Sequence, residues 1–182
     1  MADYHRFLLP TVPLIYILST FSAVNLAPKF KINHKFLKPF LLVILLTFAS
    51  QHHYNYFNFA NYWTSYYSKG LNNAHIPLGK WIAKNTPTNT KIALNDAGAI
   101  PYYSERYTYD IAGLNSPDFL QTINFTKLKS SDLVILISSK EDSFTPRIPK
   151  EYDIYLHIKD DYHLISKWKF SDIYFLFVFQ KS

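Results

Sequence analysis

From Phe7 to Pro28 the chain carries no charged residue, and from Pro39 to Ser68 it carries no Asp, Glu, Lys or Arg. This constrains the fold most. FLLPTVPLIYILSTFSAVNLA is long enough to cross about 30 Å of hydrocarbon as a helix. Pro10 and Pro13 fall in its first turns, where the missing N–H donors cost little. The second segment, FLKPFLLVILLTFAS (36–50), is short for a span but runs on without charge into QHHYNYFNFANYWTSYYS. That continuation has the Tyr, Phe and Trp content of an interfacial belt. The expectation is a membrane α-helical hairpin of two transmembrane helices over residues 1–70, followed by a small mixed α/β extracytoplasmic domain over residues 71–182.

Between the two segments stands PKFKINHKFLK, with Lys29, Lys31, Lys35 and Lys38. The positive-inside rule places such a loop in the cytoplasm, and hence residues 71–182 outside the inner (plasma) membrane. A cleaved signal peptide is the competing reading, with a small-residue site near Ala23 to Ala27. The apolar run exceeds a usual signal core, however, and only Arg6 precedes it as a firm positive charge.

The charge distribution bears on partners. The net charge is +6, but residues 1–70 hold six Lys/Arg against one acid, Asp3, whereas residues 71–182 hold thirteen against twelve. A single-strand nucleic-acid binder needs lysines and aromatics along one groove. Here they fall in different places, so nucleic acid is not expected as a partner. The absence of cysteine excludes a disulfide framework and zinc-thiolate sites.

After Gly70 the pattern becomes that of an α/β domain. HIPLGKWIAKNTP places Ile76, Leu78, Trp81 and Ile82 at helical spacing, and Asn85 to Pro87 stops the helix. KIALN (91–95) reads as a short strand, and Asp96 as the cap of a helix over AGAIPYY. YTYDI (107–111) and DLVILIS (132–138) follow as strands, the latter apolar throughout and expected to be central. DIYLHI, HLISKWKF and DIYFLFVFQ read as three closing strands.

Asp96, Tyr102, Tyr103, Arg106, Asp110 and Asn115 cluster around predicted strand ends, where ligands of open α/β sheets bind. They are the substrate-binding candidates, each with a structural alternative. Asp96 would cap a helix, Arg106 would pair with Glu105 or Asp110, and the tyrosines would cover the sheet. Arg6 joins them, since a guanidinium at a helix mouth can hold a lipid-linked phosphate; its alternative is a snorkelling anchor. DAGA lacks the glycine spacing and lysine of a phosphate loop. The seven histidines show no metal-site spacing, so neither a metal nor another cofactor is expected. Asn124-Phe125-Thr126 matches the glycosylation acceptor pattern.

YHRFLLPTVPLIYIL, with its Arg-aromatic start and spaced prolines, resembles the late membrane helix of the GT-C glycosyltransferases related to protein mannosyltransferases and aminoarabinose transferases. IPLGKWIAKNTPTNTKIALNDAGAIPYYSERYTYDIAGLN resembles the helix, strand and small-residue turn that begin the extracytoplasmic C-terminal domain of many bacterial members. The resemblance implies transfer of sugar from a polyprenyl-phosphate carrier, with membrane lipid, that carrier and an N-terminal glycosyltransferase portion as partners. The family's catalytic carboxylate lies in a first external loop for which this chain has no counterpart, so no catalytic residue is carried over. Met1 would then begin a truncated frame, a split gene or an independent remnant.

Two functions are therefore expected. The first is a non-catalytic C-terminal part of a glycosyltransferase. The second is a membrane-anchored, non-enzymatic binding or interaction domain.

Overall fold

The computed structural model describes residues 12–26, 34–120 and 122–182. The chain divides into two compact units, Met1–Tyr62 and Trp63–Ser182. Helix α1 (Val12–Leu26) lies in the first, and the division falls within α2 (His34–Gly70). Lys35 and Lys38 belong to α2 rather than to a loop, and Arg6, Lys29 and Lys31 lie outside the described residues.

The transmembrane hairpin is not found. Among the described residues no helix is long and apolar enough to cross a membrane. The 15 described residues of α1 rise only about 22 Å at ~1.5 Å per residue. Helix α2 has the length, at 37 residues, but its apolar run gives way at Gln51, His52, His53 and Asn55. The positive-inside argument thereby loses its premise. What the first unit does show is a set of exposed apolar side chains, among them Leu14, Ile17, Phe21, Val43 and Phe48.

The second unit is built on a five-stranded mixed sheet. Its strands are β1 (Lys91–Leu94), β2 (Tyr107–Asp110), β3 (Leu133–Ser138), β4 (Tyr162–Ser171) and β5 (Tyr174–Lys181), in the order β2-β1-β3-β5-β4. β1 runs parallel to both β2 and β3, while β5 is antiparallel to β3 and β4. β3 is central, and all six of its residues are buried.

Period-two alternation sends successive residues to opposite faces. Ile92, Leu94, Ile135, Leu176 and Val178 meet Leu78 and Ile82 of α3 (Ile76–Asn85) and Ile100 of α4 (Ala99–Ser104). Ala93, Val134, Leu136, Phe177 and Phe179 meet Leu128 of α5 (Phe125–Lys129) and Ile154 and Ile158 of α6 (Pro149–Ile158). The sheet is thus covered on both sides. Where α3 crosses α4 the fit is close: a Cβ on Gly79 would lie 2.9 Å from Tyr103 Cβ and 3.0 Å from the Ile100 carbonyl oxygen.

DIYLHI is helix, not strand, as part of α6. Pro149 supplies a first helical position with φ already set, and Ile154 and Ile158, four apart, bury one stripe of the helix. Asn124 caps α5, its Oδ1 accepting from Lys127 N–H at 3.0 Å.

Candidate functional site at the strand ends

The chain enters β1, crosses by α4 to β2 on one side, and returns by α5 to β3 on the other side of β1. The connections leaving the neighbouring strands β1 and β3 thus run in opposite directions, toward β2 and toward β4, and such a reversal opens a crevice at the strands' carboxyl ends, the usual ligand position in open α/β sheets. Asp96, two residues past β1, stands at that place.

It is not a helix cap. Gly98 occupies the N-cap of α4, with no side-chain capping bond. The Asp96 carboxylate is engaged elsewhere: Oδ2 accepts from His75 Nε2 at 3.1 Å and from the hydroxyl of Tyr174. A carboxylate only accepts, so Nε2 carries the imidazole proton in this pair. Tyr174 is the first residue of β5, whose pairing with β3 brings it to the same sheet edge.

His75 arrives by a local irregularity. Leu71–His75 form a π-helical turn between α2 and α3. Such turns are rare and frequent at functional sites. The ring is buried and meets Phe170 edge-on, with centroids 5.0 Å apart. Phe170 in turn packs over Gly70, where a Cβ would lie 2.2 Å from its ring.

Two further groups reach this edge. Arg147 lies over the Tyr174 ring, its guanidinium carbon 5.1 Å from the centroid, and among the described residues it makes no ion pair. Glu151, in the first turn of α6, is 1 % exposed, and its Oε1 accepts from the Ile137 N–H at 3.3 Å. Burial pushes the Glu151 carboxyl up to about 8; the charge of Asp96 acts in the same direction, against the Ile137 bond and Arg147. Two buried polar atoms, His75 Nδ1 and Glu151 Oε2, have no hydrogen-bond partner. The Asp96 side chain itself remains 45 % exposed.

The other sequence candidates do not join this cluster. Arg106 does not pair with Glu105 or Asp110: its guanidinium donates to the carbonyls of Ala83, Thr86 and Ser104 at 2.7–2.9 Å and ties the end of α3 to the end of α4. Asp110 is buried and accepts from Ala112 and Asn115 N–H, both at 2.9 Å, so it and Asn115 shape the turn after β2. Tyr102 is exposed and stands edge-on to Tyr103, over which Lys80 lies. Arg6 lies outside the described residues. His75, Arg147, Glu151 and Tyr174 carry no local motif that reveals them, since each acquires its role from a partner distant in sequence.

On the opposite face of the sheet, a cleft of about 550 Å3 lies against α6, lined in part by Leu120, Phe125, Lys150 and His157. Lys150 Nζ is committed there to the Ile111 and Phe119 carbonyls, and Phe125 stacks on His157 at 3.8 Å.

Fold and site together define an α/β domain with a polar cluster at the switch point of its sheet. The family model described as "Domain of unknown function (DUF8728)" matches residues 60–179, and the chain belongs to that family. No curated protein and no solved structure matches it. The glycosyltransferase terms thus gain no support from these comparisons.

Proposed function

We propose that residues 63–182 form a non-enzymatic ligand-binding domain whose site is the strand-end cluster of His75, Asp96 and Tyr174. The observation that carries this reading is the position of Asp96 at the switch point, half-exposed yet fixed through Oδ2 by two side chains from distant elements. Unsatisfied buried groups are uncommon in folded proteins, and two stand in or beside this cluster. His75 Nε2 is committed to Asp96 and Nδ1 is buried, so neither ring nitrogen is open to a ligand, which favours positioning of an acceptor over proton transfer. The exposed apolar side chains of the first unit support contact with lipid.

Amide NMR spectra of the full chain in detergent, titrated with pools of amino acids, monosaccharides and sugar phosphates, test this. One pool is expected to move signals near Asp96, with the response lost in Asp96→Asn. Responses mapping elsewhere, or chemical turnover of the bound molecule, would overturn it.

A second reading rests on the resemblance of Gly79 to Asn115, which here form α3, β1, α4 and β2. In it the same site serves a glycosyltransferase that uses a polyprenyl-phosphate sugar, with the catalytic base on another polypeptide. Sugar transfer only on co-expression with such a polypeptide, lost in Asp96→Asn, would favour it over simple binding.

A further inference from the structure

Asp96 and Arg147 are both fixed to Tyr174, one at its hydroxyl and one over its ring. They bear opposite charges and stand at one sheet edge, yet they form no ion pair with each other. Tyr174 contacts both. Among the described residues Arg147 has no hydrogen-bond partner, and Asp96 Oδ1 has none either. The edge therefore presents a spare cationic donor and a spare anionic acceptor on either side of one aromatic ring.

A ligand is selected by what it leaves unpaired. A simple anion would suit Arg147 but meet repulsion from Asp96, and a simple cation the reverse. A neutral polyol would hydrogen-bond to both and neutralise neither. Given that this edge is a binding site, as the preceding reading holds, we infer that it takes a small zwitterion, a free α-amino acid, with its ammonium on Asp96 and its carboxylate on Arg147. Planar guanidinium matches a carboxylate in two-pronged fashion, and the Arg147 guanidinium already lies over the Tyr174 ring.

The test is isothermal titration of the full chain in detergent with glycine and L-alanine, beside ethylamine, acetate, inorganic phosphate and glucose. The amino acids are expected to bind at least tenfold more tightly than ethylamine or acetate, with tenfold losses in both Asp96→Asn and Arg147→Gln. Binding of phosphate or glucose at Asp96 without the amino acids would overturn the zwitterion while leaving the binding-domain reading intact. Equal affinity for ethylamine and glycine, or insensitivity to Arg147→Gln, would also overturn it. If none of these probes binds, the zwitterion fails, and the pooled titration decides the broader reading.

Discussion

The Nε2–H of His75 donates to Asp96 Oδ2 at 3.1 Å, joining residues 21 positions apart. The imidazole is buried, whereas the carboxylate is half-exposed. The bond therefore couples the interior of the domain to its open edge.

Asp96→Ala should cost about 1–3 kcal/mol, because it leaves the His75 N–H buried and unpaired. Asp96→Asn keeps an acceptor and should cost less. Urea unfolding followed by tryptophan fluorescence compares the two. Equal costs would mean that His75 draws nothing from this bond.

Glu151 makes stability depend on pH. Below its ordinary value of 4.5 both folded and unfolded chains hold the proton, and between 4.5 and about 8 only the folded chain does. Stability should therefore fall as pH rises through that window, and level off above it. Glu151→Gln removes the titration, so the variant should match the parent near pH 4 and exceed it near pH 8 by up to roughly 4 kcal/mol. Thermal melts across that range provide the check, and a pH-independent difference would remove the buried carboxyl as its source.

Arg106→Lys should destabilise by about 1–3 kcal/mol, since one ammonium cannot span the Ala83, Thr86 and Ser104 carbonyls. Ligand titrations at the strand ends should be unchanged. A binding defect at full stability would restore Arg106 to the site.

Gly79→Ala places a methyl against the Ile100 backbone and should cost about 1–3 kcal/mol as overpacking. Denaturant midpoints measure this, and a neutral result would show that α3 and α4 can separate freely.

Much of the second unit was legible in sequence. DLVILIS reads as the central strand because Leu133 to Ile137 form an unbroken apolar run, and helix α3 is marked by Ile76, Leu78 and Ile82 at helical spacing and stopped by Asn85 to Pro87. DIYLHI misled because its alternation of apolar and polar residues imitates a strand, while Pro149, the actual start signal, lies four residues earlier. The first unit misled in another way. Hydrophobic content predicted spans, but α2 turns polar after Ser50. Asp96 stood out beside a small-residue turn, yet its partners were invisible, since 78 residues separate it from Tyr174. No local pattern encodes a pair made by strand order.

The π-helical turn at Leu71–His75 makes the histidine's placement a matter of chain length rather than residue type. An α-helix advances about 100° per residue, so removing one residue there would restore regular winding and swing the imidazole away from Asp96. A single deleted codon could then disarm the edge while every side chain that forms it is still encoded, and an alignment scored by identity alone would overlook the loss.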